Sequence, residues 1–442
     1  MMTKKWQPYP TYKDSGVEWL GAIPEHWEVM PIKFALDIPI TDGPHETPEL
    51  YDEGIPFISA ESIKNDRIDF DKKRGFISLE EHKRFSRKYK PKYGDVYMVK
   101  SGATTGNVAR VETEEEFNIW SPLAVLRPNK DVTTTNFLFY AMKSKPFFYS
   151  VELSWSFGTQ QNIGMGVISN IRIVLPPLPE QQKIAEFLDQ ETSKIDKLIT
   201  KKERLIKLLK EKRTALISHA VTKGLNPDVP MKDSGVEWLG EIPEHWKVKK
   251  CKQLSLIKRG ASPRPIDDPS FFDDDGAYSW VRISDVTASN KYLETSEQKL
   301  SELGKSKSIA LEPGELFVSI CATVGKPIIT NIKCCIHDGF VYFPFLKENR
   351  EYLFYIFSGG ELYTGVGKQG TQLNLNTDII GDIKLPIPPL PEQQKIAQFL
   401  DRETSKIDNL ITKTRTSIDH LKEYRTALIS AAVTGKIDVR EH

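Results

Sequence analysis

Residues 175 to 200 read LPPLPEQQKIAEFLDQETSKIDKLIT and residues 387 to 412 read IPPLPEQQKIAQFLDRETSKIDNLIT, a gapless repeat at an offset of 212 that continues into RTALIS at Arg213 and again at Arg425. The chain is a tandem duplication, and periodicity makes its repeated part a helix. In the first copy Ile184, Leu188, Glu191, Ile195, Leu198, Lys202, Leu205, Leu209, Lys212 and Leu216 follow alternating steps of four and three, and Ile199 and Ile206 widen the stripe. The second copy repeats it as Ile396, Leu400, Glu403, Ile407, Leu410, Thr414, Ser417, Leu421, Tyr424 and Leu428. This is a coiled-coil seam with polar interruptions. Pro176, Pro177 and Pro179 hold the approach extended, so the helix starts near Glu180. Through Ser218 it would span roughly 55 to 60 Å at about 1.5 Å per residue. One small domain cannot bury a stripe that long, and its natural partner is its own duplicate.

A second repeat precedes each variable region. Residues 13 to 29 read KDSGVEWLGAIPEHWEV and residues 232 to 248 read KDSGVEWLGEIPEHWKV, at an offset of 219. Trp19, Leu20, Ile23 and Trp27, with Trp238, Leu239, Ile242 and Trp246, give each copy an aromatic plug, read as a strap that packs each domain onto a helix end. His26 and His245 sit inside that packing motif with no partner constellation in the sequence, so catalysis is not assigned to them. Between strap and helix the two halves run in the same order through β-like segments, a helical patch and a final strand. The first has IPFISA, GDVYMVKSGAT and SPLAVLRP, then TTNFLFYAMKSKPFFYSV; the second has AYSWVRISDV, PGELFVSICATVG and GFVYFPF, then YLFYIFSGGELYTGV. The fold class is therefore mixed α/β, one fold used twice with a pseudo-two-fold internal repeat. The boundaries read 1–174 for the first domain with its strap, 175–224 for the central helix, 225–386 for the second domain with its strap, and 387–442 for the distal helix. Scaffold and strap are nearly identical between halves, whereas the domains they carry keep scattered matches only. That contrast suits two readers held in fixed geometry, each reading something different.

Composition limits the alternatives. With 442 residues, 61 Lys and Arg against 60 Asp and Glu, and a net charge of +1, no bulk charge announces nucleic acid, and any such site must be a local patch. Cys251, Cys321, Cys334 and Cys335 show neither a disulfide framework nor metal-ligand spacing, which points to a reducing cytoplasm and no metal. MMTKKWQPYP lacks an apolar signal core, and no apolar run approaches about 18 residues, so export and membrane spanning are not expected. Asp268-Pro269-Ser270-Phe271 distantly echoes a motif of amino-methyltransferases, but no glycine-rich cofactor loop accompanies it and the first half has no counterpart. Gly325-Lys326 runs into Pro327 and does not make a phosphate loop.

The W-L-G-x-I-P-x-H-W strap, SGATTGN at 101 to 107 with SICATVGK at 319 to 326, the G-T-Q-x-N segments at 158 to 162 and 370 to 374, and LPPLPEQQKIAEFLD recur twice in one order. Together they resemble the specificity subunit of type I restriction-modification systems across nearly the whole chain. The resemblance implies a non-catalytic DNA reader: two target recognition domains, and two conserved helices packed as an antiparallel coiled coil that spaces them and docks two methyltransferase subunits. It implies double-stranded DNA as ligand and motor-nuclease subunits in the full complex. S-adenosylmethionine, ATP and magnesium would belong to those partners, leaving this chain without a cofactor. An antiparallel arrangement predicts an asymmetric bipartite target whose half-sites lie about one helical turn, roughly 34 to 36 Å, apart. Two other readings remain in view, a coiled-coil scaffold that binds only proteins and, least favoured, a DNA adenine methyltransferase.

Candidate DNA-binding residues follow from charge and turn chemistry. In EHKRFSRKYKPKY, Lys83, Arg84, Arg87, Lys88, Lys90 and Lys92 interleave with Phe85, Tyr89 and Tyr93, a patch suited to phosphates unless Glu80 and Glu81 simply answer it on a solvated helix face. Lys258, Arg259, Arg264 and Arg282, with Lys305 and Lys307, are the looser counterpart. The small-residue turns add Lys100, Thr104, Thr105 and Asn107 in the first half and Thr323 and Lys326 in the second, where a plain turn is nearly as good an account. Gln160, Gln161 and Asn162, with Gln372 and Asn374, have adenine-reading chemistry. Because they recur in both halves, a structural or backbone role is favoured, and base readers are expected among residues that differ.

Overall fold

The computed structural model describes residues 6–153, 162–363, 368–369, 372–373 and 375–441. The chain forms two compact units, Met1–Lys202 with Arg415–His442, and Glu203–Thr414. Each unit takes one end of the central helix, Leu178–Lys223 (46 residues), and the opposite end of the distal helix, Leu390–Val433 (44 residues). Within the first unit the segments run antiparallel: Asp196 pairs with Arg425 at 2.9 Å, and Glu180, near the start of one helix, lies 4.0 Å from Arg440, beyond the end of the other. The second unit repeats this. Arg213 meets Asp408 at 3.0 Å, and Gly224, just past the central helix, lies beside Glu392 at the start of the distal one.

The seam is real but turned by one position along half its length. Ile195 and Leu209 are buried as expected, but Thr192 is buried in place of Glu191, Ile199 and Ile206 face inward, and Leu205 and Leu208 stay exposed. The distal helix behaves the same way, burying Thr404, Ile407, Ile411, Thr414 and Ile418 while Leu410 and Tyr424 are exposed. Adjacent apolar residues such as Leu198 and Ile199 satisfy the sequence pattern equally well. The buried set Thr192, Ile195 and Leu209 shows which rotation the helix takes, and the pairs Arg213–Asp408 and Arg425–Asp196 lie at the edge of the seam in that rotation.

The repeated PEQQ motif proves to be a set of anchors. Gln181 is fully buried, and its amide is completely used: Oε1 accepts from Thr133 Oγ1 (2.9 Å) and from Thr134 N (3.0 Å), while Nε2 donates to the carbonyls of Val132 and Pro176, both at 2.9 Å. Thr134 caps the helix Thr135–Met142, so the glutamine ties the domain's helical patch to the long helix. Gln393 does the same for Asn349, the cap of Arg350–Ser358. Two turns further on, Asp189 accepts from Tyr140 Oη at 2.7 Å, and Asp401 from Tyr355 Oη at 2.6 Å. Glu180 accepts from Tyr9 Oη (2.5 Å) and contacts His26 Nε2 (2.8 Å); Glu392 contacts His245 Nε2 at 2.8 Å. The strap histidines thus have a partner that the sequence had hidden, a carboxylate at the start of each helix.

The straps pack as expected, with Leu20, Ile23, Trp27, Leu239, Ile242 and Trp246 buried, although Trp19 is partly exposed. Incoming and outgoing strands close each domain: Glu28–Pro31 pairs antiparallel with Arg172–Leu175, and Lys247–Lys250 with Lys384–Ile387. The head of the first unit has a four-stranded sheet in the order Val108–Arg110, Val96–Val99, Leu123–Leu126, Thr41–Asp42, and beside it Asn118–Ile119, Ile55–Ile58 and Gly75–Ile77. The second unit preserves the order and extends it. Lys258–Arg259, Phe340–Tyr342, Leu316–Ser319 and Pro327–Thr330 continue to Tyr292–Leu293, and Lys299–Leu300, Tyr278–Val281 and Cys334–Ile336 continue to Ile309–Leu311. Among the described residues no helix is long and apolar enough to cross a membrane, and no His, Cys, Asp and Glu group could hold a metal ion.

Cys251, Cys334 and Cys335 are buried and Cys321 is exposed. Burial pushes the Cys251 and Cys334 thiols up to about 12 and that of Cys335 to about 11, which suppresses their thiolates. Thiol titration of the native protein is expected to label Cys321 alone, with the other three following only on denaturation. Fast labelling of two or more in the native state would contradict this packing.

Candidate nucleic-acid interface

The basic stretch of the first head is built on the short helix Leu79–Phe85, capped by Ser78, and on the loop that follows it. Phe85 and Tyr89 are buried, so two of the three interleaved aromatics are core and only Tyr93 is exposed. Tyr89 Oη donates to Asp95 at 2.5 Å and lies 2.8 Å from Tyr97 Oη. Asp95 is 1% exposed and also accepts from Arg127 Nε (2.7 Å), Arg127 Nη2 (2.8 Å) and the Lys92 amide (2.9 Å). Arg127 Nη2 further donates to the Lys90 carbonyl at 3.0 Å. A buried carboxylate with four donors therefore shapes the loop that carries the lysines. The hydrogen bonds it donates to Asp95, only partly countered by burial, raise the Arg127 guanidinium above its ordinary range.

The six cations of this stretch divide into two groups. Lys83, Arg87 and Lys92 are exposed, with no side-chain hydrogen bond or ion pair among the described residues. Arg84 pairs with Glu46 at 2.8 Å and lies 3.7 Å from Glu81, Lys90 pairs with Glu116 at 2.6 Å, and Lys88 pairs with Asp42 at 2.5 Å. Lys100 is largely buried, 3.3 Å from the same Asp42. Burial by itself would raise the Asp42 carboxyl, but Lys88 and Lys100 more than offset it and hold it below the ordinary carboxylate range.

The turn at 101 to 107 joins strands Val96–Val99 and Val108–Arg110. Thr104 and Asn107 are exposed, whereas Thr105 is buried and donates to the Gly102 carbonyl at 2.6 Å, closing the turn. Gly106 has a φ of 95° and a Cβ there would lie 2.5 Å from Phe148, so this position admits only glycine. Asn162 bridges to Ser101; Gln160, Gln161 and Asn374 lie outside the described residues, as does the side chain of Gln372.

In the second head Arg259 donates through Nε to the Asp338 carbonyl, and Arg264, 74% exposed in its side chain, reaches Asp338 Oδ2 at 3.2 Å. Arg282 is exposed and donates to Gln298 Oε1 at 2.5 Å. Thr323 and Thr287 share a hydroxyl contact of 2.8 Å. Lys326 donates to the carbonyls of Thr287 (3.0 Å) and Ser289 (2.6 Å) at the end of the helix Ile283–Ala288, and burial lowers its ammonium below the usual lysine range. Of the companions, Lys258 and Lys307 are exposed, and Lys305 lies 3.8 Å from Glu302 and over the Tyr278 ring. Sequence reasoning missed the acids that organise these cations, Asp42, Glu46, Asp95, Glu116 and Asp338. A buried aspartate at the head of the apolar run Val96–Val99 was the one visible signal.

Two heads of one topology, each clamped by the same glutamate, glutamine and aspartate of a repeated helix, match a known sequence family. A sequence model of the type I restriction modification DNA specificity domain matches residues 24–208 and again residues 243–420. The chain belongs to this family. Among type I restriction specificity subunits, a provisionally assigned MjaX subunit of Methanocaldococcus jannaschii is 26% identical over 452 residues, covering 95% of this chain and 96% of that one. The EcoKI specificity subunit of Escherichia coli is 23% identical over 452 residues, covering 94% and 90%. A chain solved in work on complex assembly and conformational transition of the type I R-M system shares the fold, with a TM-score of 0.75 at 16% identity over 94% of this chain and 99% of that one.

Proposed function

We propose that this specificity-family protein is the DNA sequence-recognition subunit of a type I restriction-modification complex and is not itself a catalyst. The observation that carries this reading is the duplication as built: anchors repeat residue for residue, Glu180 with Glu392, Gln181 with Gln393 and Asp189 with Asp401, while the head surfaces differ. Two heads on one scaffold suit a bipartite, asymmetric target. The unpaired cations Lys83, Arg87 and Lys92 are assigned to phosphates, which position a head without reading sequence. Exposed Leu205, Leu208, Leu410 and Tyr424 on the long helices are assigned to docking methyltransferase subunits, two of them by the symmetry of the repeat. S-adenosylmethionine, ATP and magnesium then belong to methyltransferase and motor-nuclease partners, and the complex works in the cytoplasm.

The test is single-molecule methylation mapping of DNA from cells expressing this chain with its methyltransferase subunit, against cells lacking only this chain. N6-methyladenine at one asymmetric bipartite motif, lost without the chain, is the expected result. Exchanging residues 28 to 174 for those of a relative is expected to change one block of that motif and leave the other block, and co-purification with the methyltransferase, intact. Loss of both blocks together would overturn independent reading. Co-purification without any chain-dependent methylation would favour a protein scaffold instead.

A further inference from the structure

Both heads have one corner in common and fill it with opposite charge. Hydrogen-bond register sets the correspondence. The Lys100 amide donates to the Pro122 carbonyl at 2.8 Å, and the Ile320 amide to the Gly339 carbonyl at 2.8 Å. Counting from these, Ala124, opposite Asp42, matches Val341, opposite Arg259, and Ser121 matches Asp338. A glycine follows in each head, and a Cβ there would lie 2.0 Å from the Ile119 carbonyl oxygen at Gly43 and 2.2 Å from that of His337 at Gly260. Both loops are therefore pressed, backbone to backbone, onto the facing turn. On this shared frame the first head sets an anion on the strand and the second a cation; the anion of the second head comes from the turn instead.

The anion fixes an accessible donor in each case. Asp42, with no exposed side-chain surface, accepts from Lys88 at 2.5 Å and lies 3.1 Å from His45 Nε2. Lys88 also donates to the Gly43 carbonyl at 2.9 Å, so two of its three N–H groups are spent and the third belongs to a side chain still 46% exposed. Asp338 accepts from Ser262 Oγ at 3.0 Å and from Arg264 Nη2 at 3.2 Å. The first corner adjoins the phosphate-type cations, because Arg84 of the basic helix pairs with Glu46 of the same loop.

We propose that this corner is where each head reads base edges, Lys88 with His45 in the first and Arg264 with Asp338 in the second. The inference rests on the DNA-reading function proposed above. Readers of two different half-sites must differ in chemistry while sharing a frame, and these positions do. Side chains already held by neighbours lose little freedom on binding. The open N–H of Lys88 fits the O6 and N7 acceptors of guanine, whereas Arg264 beside Asp338 offers both a donor and an acceptor, the latter suited to the cytosine amino group. The competing account is that both are ion pairs that merely hold a loop.

Methylation mapping with the assembled methyltransferase separates these accounts. Lys88→Gln is expected to relax one specified position, a guanine, in one block of the motif, with preference at that position falling roughly tenfold or more. Arg264→Gln is expected to do so in the other block, and each is expected to leave the remaining block unchanged. Lys83→Gln, a phosphate-type position, should lower methylation at all sites without altering the motif. Should Lys88→Gln fail to assemble, His45→Gln on the exposed loop makes the same test. An unaltered motif in the corner variants, or a change in both blocks from either, overturns the proposal while the wild-type motif still upholds the reader function. Absence of any chain-dependent methylation in the wild type overturns both.

Discussion

Replacing Asp95 with alanine is expected to destabilise the first unit by about 3–5 kcal/mol, the cost of stranding one partner of a buried ion pair. Its carboxylate is 1% exposed and receives both Arg127 nitrogens, the Tyr89 hydroxyl and the Lys92 amide. Removing it leaves the guanidinium with the Lys90 carbonyl as its hydrogen-bond acceptor and takes an acceptor from the Tyr89 hydroxyl and the Lys92 amide. For a unit of this size that corresponds to a fall in Tm on the order of 10 °C. Loop and function are coupled here, because Tyr89, Lys90 and Lys92 all hang on this network. DNA binding by the assembled complex is therefore expected to weaken in the same variant. A denaturation midpoint within about 1 kcal/mol of wild type would show that the network is ornamental to the fold.

Trp246→Ala is expected to cost the second unit a similar amount, about 3–5 kcal/mol for deleting a fully buried aromatic. Its ring fills the space between the strap and the end of the central helix, 3.2 Å from where a Cβ on Gly224 would sit. Phenylalanine distinguishes the two straps. Trp246 Nε1 donates to Glu392 at 3.1 Å, whereas Trp27 Nε1 is buried without a hydrogen-bond partner because Glu180 is taken up by Tyr9 and His26. Trp246→Phe should therefore lose about 1 kcal/mol more than Trp27→Phe. Chemical denaturation of the three variants measures this directly, and equal losses for the two phenylalanine variants would mean that the indole bond contributes nothing.

Legibility in the sequence followed the range of the interaction. Duplication, two long helices, buried strap tryptophans and a mixed α/β head could be read from repetition and local periodicity, since each is encoded within a few residues. Leu198 and Ile199 show where that stops. Neighbours on a helix differ by about 100°, and a pattern with apolar residues at both positions cannot say which one faces the seam. What that face meets, including the pairs Arg213–Asp408 and Arg425–Asp196 at the edge of the seam, lies 195 and 229 residues away in the chain.

The site divides in the same way. The sequence by itself determined that this is a two-headed reader on a repeated scaffold, and it located the positive charge of the first head. Only the tertiary structure decided which cations remain open and which are held. Lys88 meets Asp42 from 46 residues away, Arg127 meets Asp95 from 32, and Arg264 meets Asp338 from 74. Charge is legible one residue at a time, but an ion pair is a property of the distance between two residues, and folding alone sets that distance.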